Sequence, residues 1–231
     1  MRTFDHRRNF AVDWQLAIIL NRDQLRAIVL ALFALARMRV GGSLFTLPRS
    51  TFAMIMLVLR PAESAVRRLI VIAANGLVLK PRAPREALMV SLSNHKGFPP
   101  TRAFKLFDPL KSFDPDAVRD AGPVWESGFD LAPGYSSTLA AEEPSLDATH
   151  IGQRLNALIR ALDNLPAQAR RLARWQTKRD AKLKARKPTR LSPMRPGLPP
   201  GWRQRRLHEI DDVLRECHGL ANDLLCEPNS S

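Results

Sequence analysis

Between Trp14 and Met38 the apolar residues Leu25, Ile28, Val29, Leu32, Phe33 and Ala36 recur at helical spacing with neither proline nor glycine among them. The pattern predicts one helix of about six turns, closed by Gly41-Gly42. A second helical stretch opens near Ser50-Thr51 and runs through Ala74, interrupted by Pro61. A proline there either kinks a continuous helix or starts a new one as its first residue, with Glu63 as a first-turn acid. The two long apolar runs, Ala27 to Ala36 and Phe52 to Leu59, hold ten and eight residues. A bilayer span needs about 20, so both read as buried core helices.

Residues 80–146 are rich in proline, yet they carry Phe98, Phe104, Phe107, Phe113, Trp125 and Phe129, too many aromatics for a free linker. The expectation is an irregular segment pinned onto the helices. Within it, the short alternation from Arg85 to His95 fits a strand or no regular structure. From Asp147 a helix resumes, with Ile151, Leu155, Leu158, Leu162 and Leu165 at alternating steps of four and three, and Asn164-Leu165-Pro166 marks its break. The next helix, Pro166 to Lys187, carries Leu172, Ala173 and Trp175 on one side. After a proline-rich connector, a last helix from Leu207 to Leu225 repeats the rhythm with Leu207, Ile210, Leu214, Cys217, Ala221 and Leu224. Two such seams predict an antiparallel helical pair or bundle. The fold class is mainly α, in three regions: apolar N-terminal helices (1–80), the proline- and aromatic-containing segment (81–146) and a C-terminal helical region with a basic helix (147–231).

Charge changes this picture. The chain of 231 residues has a formal net charge of +14. Residues 151–206 carry sixteen Lys and Arg against only Asp163 and Asp180, so the whole surplus lies there and the remainder is neutral. A surface made for solubility intersperses its signs, so the segregation points to an anionic partner. Two cysteines, Cys217 and Cys226, are too few for a disulfide framework. The N-terminal residues do not form a cleavable signal peptide. The expected location is the cytoplasm, with peripheral inner-membrane association as the second expectation.

The basic helix is the strongest candidate site. Arg170, Arg174, Lys178, Lys182 and Arg186 follow at four-residue steps, each about one turn above the last. They span roughly 24 Å, enough to meet several phosphates or a strip of anionic headgroups. Arg171 and Arg179 flank Trp175, an aromatic that either stacks on a base or anchors the helix to its neighbour. Against an external partner stands the last helix, whose Glu209, Asp211, Asp212, Glu216 and Asp223 offer internal neutralisation. With Glu227 and the opposing Arg215 included, that C-terminal stretch still leaves most of the surplus unmatched.

Three weaker constellations remain. His208, Glu209, Asp212 and Glu216 fall near one another on one face but match no specific metal motif. Cys217-His218 has the residue types of a nucleophile and base, but adjacent helical residues point about 100° apart. Arg190 to Pro196 has the arginine and proline spacing of a polyproline ligand, and equally that of a stiff connector. No catalytic constellation and no cofactor site emerges, which leans away from an enzyme.

The stretches Arg60-Pro-Ala-Glu-Ser-Ala-Val-Arg-Arg-Leu-Ile-Val-Ile-Ala-Ala74, Ser192-Pro-Met-Arg-Pro-Gly-Leu-Pro-Pro-Gly201 and His208-Glu-Ile-Asp-Asp-Val-Leu-Arg-Glu-Cys-His218 resemble a family of uncharacterised alphaproteobacterial helical proteins of unknown function. The resemblance implies a bacterial cytoplasmic origin and transfers no functional residue. The segment Ala87-Leu-Met-Val-Ser-Leu-Ser-Asn-His95 resembles the in-frame translation of a palindromic intergenic repeat, which implies an insertion near residues 85–95; an ordinary loop is the equal alternative. The functional expectation is a non-enzymatic protein that binds nucleic acid through its basic helix with little sequence preference. The alternative is a peripheral membrane protein with apolar N-terminal helices and the basic segment on anionic lipid.

Overall fold

The computed structural model describes residues 13–77, 103–109 and 144–226. The Arg85 to His95 stretch, Phe98, Phe113, Trp125 and Phe129 lie outside these. The described residues form α1 (Trp14–Leu35), β1 (Thr46–Pro48), α2 (Arg49–Ala74), β2 (Ser145–Asp147), α3 (Thr149–Asp163), α4 (Leu165–Lys184) and α5 (Glu209–Cys226). The fold is mainly helical. Among the described residues, no helix is long and apolar enough to cross a membrane.

Helix α1 starts where Asp13 accepts hydrogen bonds from the backbone N–H groups of Gln15 and Leu16, the usual work of an N-cap acid. It buries the predicted face of Leu25, Ile28, Val29, Leu32 and Phe33. It stops at Leu35, before the predicted glycine pair. Arg37, with φ +50°, makes the turn, its N–H donating to Ala34 and that of Met38 to Phe33. This is a Schellman ending with arginine where glycine is usual.

Helix α2 continues through Pro61, so the proline lies inside one helix of 26 residues and starts no second one. Its C-terminal half is buried nearly all round, as expected for a central helix. Pro61 has no N–H to donate to the Leu57 carbonyl one turn back. The guanidinium of Arg203 donates to that carbonyl instead, and Asp211 holds the same guanidinium at 3.1 Å. The connector before α5 thus repairs the helix that the proline interrupts. Ser64 donates to the Pro200 carbonyl at 2.6 Å beside it.

Of the expected helical pair or bundle, the packing gives the bundle and not the pair. Helices α3 and α5 do not form a pair with one another; α3 lies on α1 and α2, and α5 on α2 and α1. Ile151, Leu155, Leu158 and Leu162 are fully buried, as are Ile210, Cys217 and Ala221, with Leu214 nearly so. The seams are real, but their complement is the apolar surface of the N-terminal helices, the largest available. Leu207 departs from its predicted seam: it is 67% exposed and precedes α5. Asp211 reaches back to the N–H groups of Leu207 and His208, while His208 Nδ1 accepts from Ile210, a reciprocal cap that sets where α5 begins.

The strands, not anticipated from the sequence, pair antiparallel with Thr46 opposite Asp147, Leu47 opposite Leu146 and Pro48 opposite Ser145. They tie the start of α2 to the start of α3. The described part of the proline-rich region, residues 103–109, lies against the helices with Phe104, Leu106 and Asp108 buried.

Candidate functional site

Helix α4 is two different objects along its length. Its first three turns seat Leu165, Ala169, Leu172 and Ala173 in the core, whereas every residue from Asp180 to Pro188 is exposed. The sequence explains this: after Trp175 only Ala181 and Leu183 of the helix are apolar, too few to form a face that could be buried, and Leu183 stays exposed. The helix ends at Lys184. Arg186, expected on the same face as the other cations, lies beyond the end in a left-handed conformation, φ +51°, in a second Schellman turn: its N–H donates to Leu183 and that of Lys187 to Lys182.

Arg186 apart, the other seven candidate residues separate into two groups. Arg170, Arg174, Lys178 and Lys182 are exposed, and their side chains make no hydrogen bond or ion pair among the described residues. Arg171, Trp175 and Arg179 hold the fold. Arg171 donates to the Phe104 carbonyl at 2.9 Å. Trp175 is half-buried with its ring edge-on to Phe107 at 4.9 Å, and Arg179 lies over the indole at 5.5 Å while donating to the Leu191 carbonyl. Of the two readings of Trp175, the structure therefore places it as an anchor.

The acidic last helix does not neutralise this surface. Asp211 pairs with Arg203 and Asp212 with Arg206, both in the connector, and Glu216 accepts from Asn21 of α1. These same partners disperse the suggested metal set of His208, Glu209, Asp212 and Glu216. No three His, Cys, Asp or Glu side chains form a metal-holding group among the described residues.

Cys217 is buried, donates to Asn21 Oδ1 at 3.3 Å, and burial pushes its thiol pKa far up, the opposite of an activated nucleophile. His218 points away from it, accepting at Nδ1 from Arg68 Nε at 3.2 Å, with Trp202 ring-on-edge at 5.7 Å. Desolvation and then the Arg68 charge lower its pKa. The Arg190 to Pro196 stretch packs inward: Pro193 and Met194 are buried, and Arg190 donates to the carbonyls of Asp108, Ser192 and Pro193. It is a connector whose polyproline-like face is occupied.

A feature that sequence reasoning missed lies beneath α4. Asp108 is buried and takes Arg68 Nη2 at 3.1 Å on one oxygen and Arg67 Nη1 at 3.4 Å on the other, with the Arg195 N–H at 3.3 Å. Arg68 is fully buried, so desolvation lowers its pKa while the Asp108 charge raises it again. Around Asp108, arginines grip the backbone of residues 103–109: Arg67 on the Lys105 carbonyl, Arg171 on that of Phe104 and Arg190 on that of Asp108. The signal was present in Arg67-Arg68, two adjacent charges amid Ala65, Val66, Leu69 and Ile70 of a helix that must be buried. Such a pair requires a buried acid, but nothing in the pattern says which.

This clamp forms one wall of a cleft of about 370 Å³. Helix α3 contributes His150, Arg154 and Ala157, spaced to share one face, and α2 contributes Glu63 and Arg67 one turn apart. Phe104, Lys105 and Phe107 close the third side. Glu63 joins the helices, accepting from Arg154 Nε at 2.8 Å and Nη2 at 3.1 Å and from Arg67 Nη2 at 3.3 Å. Compared with protein-family models, curated proteins and solved structures, the chain gives no match.

Proposed function

We propose that the protein binds nucleic acid through the outward face of α4, with Arg170, Arg174, Lys178 and Lys182 contacting phosphates. The observation that supports this reading is that four cations on successive turns face solvent without a carboxylate partner among the described residues. Over twelve residues they extend about 18 Å, several phosphate spacings along one strand. The C-terminal turns of α4, exposed on all sides, add Lys184 and the trailing Arg186 and Lys187 to the same field. With Trp175 engaged on Phe107, no aromatic platform accompanies the cations among the described residues, so the reading is of phosphate attraction without base recognition. Anisotropy titration of labelled duplexes of two unrelated sequences tests it: equal affinities that fall together as salt rises support phosphate binding, and a strong difference between the duplexes refutes it.

A second reading, association with an anionic membrane surface, is favoured by one observation. Leu16, Ile19, Leu20 and Leu30 are exposed and share one face of α1, interrupted by Asp23. An apolar helix face lying in the interface plane, with cations nearby, is how a peripheral protein holds lipid. Sedimentation with anionic vesicles at high salt separates the two: retention favours the membrane, release favours phosphate attraction alone.

A further inference from the structure

The cleft between α2, α3 and residues 103–109 is built differently from the basic face of α4. It is concave, and its size falls in the range of small-molecule sites. Two of its cations are held in place before any ligand arrives. Arg154 is fixed by two bonds to Glu63, and Arg67 by Glu63, Asp108 and the Lys105 carbonyl. Each guanidinium has five N–H groups, so both keep donors that these contacts leave unused. Arg154 places one further donor only on the Met56 sulfur at 3.4 Å, a weak acceptor.

The balance of charge is uneven. Arg67, Lys105 and Arg154 line the cleft with Glu63 as the one lining carboxylate among the described residues, and both Glu63 oxygens already accept from arginines. Asp108, behind the wall, is fully engaged by Arg67, Arg68 and the Arg195 N–H. The Lys105 ammonium is exposed and has no partner among the described residues, its backbone carbonyl alone being engaged by Arg67. Beside these charges lies apolar surface from Phe104, Phe107 and Ala157. Phe107 already lies against the Arg190 guanidinium at 5.2 Å, which adds positive potential to that wall.

From this juxtaposition we infer that the cleft is a binding site for a small organic anion, a carboxylate or phosphate monoester carrying an apolar body. The anionic group meets Lys105 and the spare donors of Arg154 and Arg67, and the body lies against Phe104 and Phe107. Pre-fixed guanidiniums bind a planar or tetrahedral oxyanion without having to be ordered first. A cationic ligand would face three cations, and a neutral one would leave the donors unanswered. The inference does not rest on nucleic-acid binding by α4.

Titration calorimetry on the full chain, with phenyl phosphate, inorganic phosphate, benzyl alcohol and benzylamine as probes, tests it. Phenyl phosphate should bind saturably, with a Kd on the order of 1 mM or tighter, inorganic phosphate more weakly, and the neutral and cationic probes undetectably. Lys105→Gln changes an exposed side chain, so its thermal midpoint should stay at the wild-type value while phenyl phosphate affinity falls about fivefold. Lys182→Gln, on α4, should leave that affinity unchanged. The inference is overturned by no saturable binding of phenyl phosphate, by benzyl alcohol binding as well, or by equal losses in both variants, which would show unlocalised attraction to a basic protein.

Discussion

Gly201 sits so close to Pro61 that a Cβ added to it would lie 2.7 Å from the proline nitrogen. Its φ of +84° is also one that side-chain-bearing residues rarely adopt. The glycine therefore permits the connector to lie on α2 at the one point where that helix lacks a hydrogen bond, and Arg203, two residues on, supplies the missing donor. A substitution here acts on the central helix from a loop distant in sequence.

Gly201→Ala should destabilise the protein by about 2 to 4 kcal/mol, combining a strained backbone with overpacking against α2. Urea unfolding measures it. A change below about 0.5 kcal/mol would show that the connector can lift from Pro61 at little cost.

Asp108→Asn should cost about 3 to 5 kcal/mol, because it leaves Arg68 charged and buried without its counterion. Replacing both members, Arg68→Met with Asp108→Leu, should be the milder change, since removing a buried pair is often close to neutral. Denaturant midpoints of the single and double variants decide this. A double variant less stable than the single one would contradict the account of the clamp.

Arg37 and Arg186 each close a helix in the left-handed region. Glycine at either position should raise stability by about 0.5 to 1 kcal/mol, relief of side-chain strain being partly offset by greater freedom in the unfolded chain. The same substitutions should leave helical content by circular dichroism unchanged.

His218 should make stability depend on pH. Burial and the Arg68 cation lower its folded pKa below the ordinary value near 6.5. Asp108 opposes them weakly, and Asn222 and Trp202 are its other close neighbours. The unfolded chain thus takes up the proton first on acidification. The stability due to the neutral imidazole is full above about pH 6.5 and is lost as pH falls toward the folded value. Unfolding titrations from pH 7.5 to 5.5, compared with His218→Gln, should show a steeper loss in the wild type. Parallel curves would contradict the assigned contact with Arg68.

The sequence made the helices legible because each carries a periodic apolar face: Leu155 and Leu158, or Ile210 and Leu214, declare their burial by spacing alone. Partnership was less legible. The seams of α3 and α5 look complementary, yet α2 offers both a larger apolar surface, and periodicity does not rank competing surfaces. Local capping was hidden for a related reason. Arg37 and Arg186 end helices by backbone hydrogen bonds and bear the left-handed φ without a glycine, so no glycine marked the spot. For the candidate site, the charge of Arg170, Arg174, Lys178 and Lys182 was evident, while the inward turn of Arg171, Trp175 and Arg179 depended on Phe104, Phe107 and Leu191, residues reached only through tertiary packing. Asp108 gave no local sign, its partners lying about forty residues away.

The central claim, that the exposed row on α4 contacts phosphates, is tested most directly by the salt dependence of binding in wild type and in Lys178→Gln/Lys182→Gln. Each phosphate contact contributes about −0.7 to −0.9 to the log–log slope of affinity against salt. The account predicts wild-type binding at low ionic strength that falls steeply with salt. In the double variant the slope should flatten by about 1 to 2 units and affinity should drop alike for all sequences. Wild-type protein that fails to bind at low salt, where attraction is strongest, or a double variant with an unchanged slope, would contradict it.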